Sequence, residues 1–132
     1  MAKIKIFVLD SKSEARYYRM GINNAALQLG MKIGSDIELQ IREEDVDRIP
    51  RDYDIYIIHF SNAKLEDIKA LRREQPWSII AGISGGGVLR QDPELIESID
   101  AWHWVMGVRE CKNLIQRAIE KMETKPKKSK SY

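Results

Sequence analysis

Five short apolar runs punctuate the chain, at Ile4–Leu9, Ile37–Ile41, Asp54–Phe60, Trp77–Ile83 and Ala101–Met106. Each is rich in β-branched or aromatic residues, short enough for a strand, and followed by a segment able to form a helix. Strict alternation of this kind leaves few folds open. Consecutive strands joined through helices pair in parallel, and right-handed crossovers place those helices on both faces of the sheet. The expectation is an α/β protein, a three-layer α/β/α sandwich around one five-stranded parallel sheet.

The punctuation between the runs supports this reading. Ser11 lies three residues before Glu14, the spacing of a capping box. Ala15, Tyr18, Ile22, Ala25, Ala26 and Leu29 then recur at helical spacing up to Gly30, a natural stop. Glu43–Arg48 has room only for a short helix before Pro50. Ser61 or Asn62 is placed to cap a helix whose face is Leu65, Ile68 and Leu71, which Pro76 ends. Asp92-Pro93 opens a short helix through Ile99. Val108, Cys111, Leu114, Ile115, Ala118, Ile119 and Met122 make the clearest amphipathic pattern. Tyr17 and Tyr18 are neighbours on one helix, so one of them must lean outward.

Composition narrows the classes of function. The 132 residues carry 22 basic and 20 acidic side chains, for a net charge of +2. Four lysines in the last nine residues, Lys125, Lys127, Lys128 and Lys130, outweigh that total, so residues 1–123 are mildly acidic at −2. The expected organisation is one domain over 1–123 and a basic, solvated tail over 124–132. Such a tail makes at most a weak contact with nucleic acid, and no membrane contact is expected of the domain. The single cysteine, Cys111, excludes an internal disulfide framework and a cysteine-based zinc site. No apolar run approaches the roughly 20 residues that span a bilayer, and the N-terminus alternates too much for a signal peptide. A cytoplasmic location is expected, with no cofactor and no metal.

In an open parallel sheet, ligands bind beyond the carboxyl ends of the strands. Those ends are Asp10-Ser11-Lys12, Arg42-Glu43-Glu44, His59-Phe60-Ser61-Asn62, Ser84-Gly85-Gly86-Gly87 and Gly107-Val108-Arg109. They should share one edge, with Asp10, His59 and Ser84 converging there.

This layout resembles the receiver domain of response regulators over roughly residues 3–122. The resemblance implies a flavodoxin-like fold with strand order 2-1-3-4-5. A receiver has an acidic pair after its first strand, a phosphorylated aspartate after the third, Ser or Thr after the fourth and lysine after the fifth. Here the acidic pair is reduced to Asp10 in Leu9-Asp10-Ser11, and His59 stands at the phospho-acceptor position. Ser84 matches the hydroxyl position, which an alternative register gives to Ile83. Trp104-Val105-Met106-Gly107 offers no lysine, and Arg109 lies two residues on. Aspartyl phosphorylation needs a nucleophilic carboxylate and a Mg²⁺ held by about three oxygens. The resemblance therefore implies a degenerate receiver, or pseudo-receiver, without that chemistry. The run Tyr53–Ser61 also resembles the opening strand of TIR domains, but it is the third strand here and no glutamate is placed for NAD cleavage.

Two functions follow as expectations. The first is a non-catalytic protein-binding or regulatory module. Its partner, or a second copy, would dock on the face made by the fourth helix, fifth strand and fifth helix, where Trp102, Trp104 and Arg109 lie. The second is a small nucleotide- or phosphate-binding enzyme using Asp10, Ser11, His59, Ser61, Asn62, Ser84 and the Gly85-Gly86-Gly87 loop. Successive glycine N–H groups suit an anion, but the lysine and spacing of a P-loop are missing.

Overall fold

Both faces of every central strand are apolar, and the computed structural model shows what each face covers. It describes residues 3–84, 91–104 and 106–124. The sheet comprises β1 (Ile4–Leu9), β2 (Ile37–Arg42), β3 (Ile55–His59), β4 (Ile79–Ile83) and β5 (Ala101–His103). All neighbours pair in parallel in the order β2-β1-β3-β4-β5. The helices are α1 (Lys12–Gln28), α2 (Leu65–Glu74), α3 (Pro93–Ser98) and α4 (Val108–Thr124). This is the expected α/β/α sandwich with the 2-1-3-4-5 order of the flavodoxin-like fold.

Side chains alternate across each strand, so the sheet divides its apolar residues between two cores. Ile4, Ile6, Val8, Ile55, Ile57, Ile79, Ala81 and Ile83 meet α1 and α4 through Tyr18, Ile22, Cys111, Leu114 and Ile115. Phe7, Leu9, Tyr56, Ile58 and Ile80 meet α2 and α3 through Ile68, Leu71 and Leu95. Each fully buried isoleucine or phenylalanine contributes roughly 1.5–3 kcal/mol from apolar burial. Gly82 interrupts the second face, and the ring of Phe60 fills the space: a Cβ at Gly82 would stand 2.2 Å from Phe60 Cζ.

Several local expectations are corrected. Glu43–Arg48 is not helical. The segment supplies Val46 alone as an apolar anchor, with Ile49 just beyond it, less than a helical face needs. Val46 N instead donates to Asn62 O at 3.0 Å, and the buried Ile49 donates its N–H to Asp67 Oδ2. Ser61 and Asn62 do not cap α2. They lie in a 3-10 turn, Phe60–Asn62, and Lys64 is the α2 N-cap. The α1 cap forms through the Ser11 carbonyl, which accepts from Glu14 N at 3.0 Å, and not through the Ser11 hydroxyl. Asp92 caps α3 as its spacing implies, accepting from Leu95 N at 3.2 Å.

The fourth and fifth strands are shorter than their apolar runs. Asp100 sets the start of β5, because its Oδ2 accepts from Ile80 N at 2.8 Å and pairs with Arg72. Ser84 sets the end: it turns into the left-handed region at φ 66°, and its N–H takes His103 O at 2.9 Å. Thr124 closes α4. The expected lysine tail from 125 onward and the Gly85-Gly86-Gly87 loop lie outside the described residues.

Candidate functional site

The register places three strand ends side by side. Leu9 pairs with Ile58 and His59 with Ile83, so Asp10 follows alongside His59, and Ser84 comes one residue beyond. Asp10, His59 and Ser84 line one cleft of about 500 Å³ together with Ser11, Glu14, Tyr17, Tyr18, Ile83, Trp104 and Met106. The convergence expected from topology is present.

Asp10 is 3% exposed and its carboxylate is satisfied from within the chain. Oδ2 accepts from the Tyr18 hydroxyl at 2.6 Å, and Oδ1 accepts from Ser11 N at 2.6 Å. Both distances are in the short range of hydrogen bonds to carboxylates. Burial, followed by the bond to Asp10, pushes the Tyr18 phenol well above the ordinary tyrosine range, so it stays protonated as the donor. Helical spacing explains the arrangement. Glu14, Tyr17 and Tyr18 lie three or four residues apart on the first turns of α1, directly after Asp10.

His59 is turned toward its own turn. Its Nδ1 accepts from Ser61 N at 3.2 Å and lies 2.6 Å from Ser61 Oγ. A backbone N–H can only donate, so Nδ1 is the acceptor in that bond. Ser61 is thereby spent on His59, and Asn62 Nδ2 donates to Asp45 Oδ1 at 2.8 Å. Neither Ser61 nor Asn62 lines the cleft.

Ser84 acts through its backbone. Its carbonyl accepts from Trp102 Nε1 at 2.6 Å. Trp102 then meets Trp104 edge to face, with ring centroids 5.0 Å apart at 66°. The two indoles share one side of the chain, as their alternation with His103 implies. Trp102 is half-buried against the core shared with α2 and α3, while Trp104 is 63% exposed at the cleft. Arg109 stays out of the cleft, and its Nε faces Glu110 Oε2 at 3.4 Å. Glu110 Oε1 accepts from Gly107 N at 2.8 Å at the start of α4. That bond, more than the neighbouring Arg109, holds the Glu110 carboxyl below the usual range.

Sequence reasoning missed Glu14, Tyr17 and Tyr18 as cleft residues. The signal was available in the i, i+3, i+4 spacing on the helix that starts beside Asp10. Met106 was hidden as an ordinary strand residue. Among the described residues, no three His, Cys, Asp or Glu side chains gather as a metal-ligand set.

No protein-family model matches the chain, and no curated protein matches it by sequence. Solved structures do. A response-regulator receiver domain from Clostridium thermocellum superposes with a TM-score of 0.59 at 12% identity, covering 91% of this chain and 97% of its own. A receiver domain from Methanospirillum hungatei gives 0.58 at 9% identity, covering 92% and 98%. A chemotaxis response regulator of Vibrio cholerae gives 0.55 at 13% identity, covering 89% and 99%. Likeness at such low identity concerns architecture. The chain is receiver-like, with the flavodoxin-type fold of response-regulator receiver domains.

Proposed function

We propose that this chain is a pseudo-receiver, a regulatory module that works by binding another protein and not by aspartyl phosphorylation. The observation that carries the reading is the state of Asp10. It is the one carboxylate directly after β1, it is buried, and each of its oxygens accepts a hydrogen bond, from Tyr18 or from Ser11. Mg²⁺ in such a site needs several oxygen ligands in near-octahedral array. Among the described residues, the donors at this edge do not fit it. The residue at the end of β3 is His59, whose Nδ1 is engaged by Ser61, so the nucleophilic carboxylate of a receiver has no counterpart there.

The binding role is supported by the face that α3, β5 and α4 form at the edge of the sheet. A groove of about 420 Å³ runs between β5 and α4, lined by Ala101, His103, Asn113, Leu114, Arg117 and Glu120 among others. Ile96 on α3 is 50% exposed nearby in the chain. A partner protein or a second copy would dock on this face. Among the described residues no helix is long and apolar enough to cross a membrane, and the proposed location is the cytoplasm.

Phosphate or nucleotide binding has less support. Among the described residues that line the cleft there are two carboxylates, Asp10 and Glu14, and no lysine or arginine. The test is incubation of the full chain with a small-molecule phosphoryl donor and Mg²⁺, read by intact mass. The expected result is an unchanged mass. A phosphoryl adduct that maps to Asp10 or His59 would overturn the reading.

A further inference from the structure

Beside Ser11, His59 and Ser84, the cleft lining holds two carboxylates, the rings of two tyrosines and a tryptophan, and two apolar side chains. Asp10 and Glu14 supply negative charge, Tyr17, Tyr18 and Trp104 supply rings, and Ile83 and Met106 are apolar. Asp10 is hydrogen-bonded, but both of its donors are neutral, and no cation among the described side chains pairs with it. Two described amides placed to favour an anion are already used. Ser11 N, at the start of α1, donates to Asp10, and Gly107 N, ahead of α4, donates to Glu110.

Trp104 adds the second line of argument. An indole left 63% exposed gives up apolar burial, yet this one is held in place. Ser84 O fixes Trp102 Nε1, and Trp102 sets Trp104 edge to face. Tyr17, at 52% exposed, lines the same cleft. The chain already places a cation against it, since the Arg16 guanidinium lies 5.1 Å from the Tyr17 ring centroid. Oriented aromatic rings beside carboxylates that form no ion pair among the described residues attract organic cations.

From this arrangement we infer that the cleft between α1, the strand ends and Trp104 binds an organic cation, an alkylammonium or guanidinium group. Trp104 and Tyr17 would contact the cation, and Glu14 with Asp10 would supply the charge. The inference concerns the strand-end cleft and stands apart from partner docking on the α3–β5–α4 face.

The experiment is an NMR titration of the full chain, following the Trp104 indole N–H, assigned by Trp104→Phe, and the Ser11 amide. The free-amine arm uses tetramethylammonium and n-butylammonium chlorides. The side-chain arm uses a blocked tetrapeptide containing one arginine and one lysine. Sodium chloride at equal ionic strength and sodium phosphate are the controls. The expected result is a saturable shift of both resonances with at least one organic cation, and the arm with the lower midpoint identifies the source. Glu14→Gln, an exposed position, should weaken binding about two- to fivefold, and Trp104→Ala should weaken it at least as much. Shifts that stay linear, that sodium chloride reproduces, that saturate only with phosphate, or that both substitutions leave unchanged would overturn the inference.

Discussion

The Tyr18 hydroxyl donates to Asp10 Oδ2 at 2.6 Å in a site where both residues are buried. Through this bond the chain closes on itself the carboxylate that a receiver would offer to a metal. Replacing Tyr18 with Phe removes the donor and leaves the oxygen short of a partner. The expected cost is about 1–3 kcal/mol in urea unfolding, the penalty for an unsatisfied buried acceptor. A change below about 0.5 kcal/mol would show that water replaces the hydroxyl freely.

Gly82 is required by packing. A Cβ there would overlap the Phe60 ring, which is itself buried. Gly82→Ala is expected to destabilise by about 1–3 kcal/mol, as overpacking does. Gly82→Ala combined with Phe60→Leu should recover part of that loss. Equal stabilities for the single and double variants would contradict the contact.

Ser84 is expected to matter through its backbone. At φ 66° a β-carbon is strained, and glycine relieves it. Ser84→Gly should therefore be neutral or stabilising by up to about 1 kcal/mol, because the carbonyl that holds Trp102 is kept. Ser84→Val should destabilise by more than that. Thermal unfolding of the two variants distinguishes this from a role for the hydroxyl, which both would lose alike.

The contact between α2 and α3 should depend on pH in a defined sense. Lys69, only 6% exposed, reaches Asp92 at 2.8 Å, Glu94 at 3.3 Å and Glu66 at 3.4 Å. The bond to Asp92 raises the lysine pKa, and the same bond lowers that of Asp92. A depressed carboxyl adds stability above its unfolded value of about 3.9, which is lost as pH falls through the lower folded value. A raised ammonium adds stability below about 10.4, which is lost as pH rises through the higher folded value. In Tm measurements, the gap between the native chain and Lys69→Met should be widest from about pH 5 to 9 and narrow below about pH 3. A gap independent of pH would contradict the ion cluster.

Much of this fold was legible in the sequence because parallel strands buried on both faces leave continuous apolar runs, as in Ile4–Leu9 and Ile55–Ile58. Chain reversals set by tertiary contacts were not. Glu43–Arg48 has the composition of a helix, but its anchors are the Asn62 carbonyl and the Asp67 carboxylate, which lie far along the chain. The ends of β5 depend on Asp100 and on the left-handed turn at Ser84, and neither has a local signature. For the site, topology placed Asp10, His59 and Ser84 at one edge. What it left out was the helix opposite. Tyr18 and Glu14 reach the cleft because α1 starts at the end of β1, and the pattern of apolar residues marked Tyr18 only as core.

In the proposed pseudo-receiver, Asp10 is committed to Tyr18 and Ser11 and is closed to a divalent ion. Paramagnetic broadening by Mn²⁺, used in place of Mg²⁺, tests it most directly on the isotope-labelled full chain. Mn²⁺ held by the exposed Glu14 broadens this edge whether or not Asp10 ligates it, so the expected result is equal broadening of the Ser11, His59 and Ser84 amides in the native chain and in Asp10→Asn. Selective broadening of those three amides, abolished by Asp10→Asn, would contradict it.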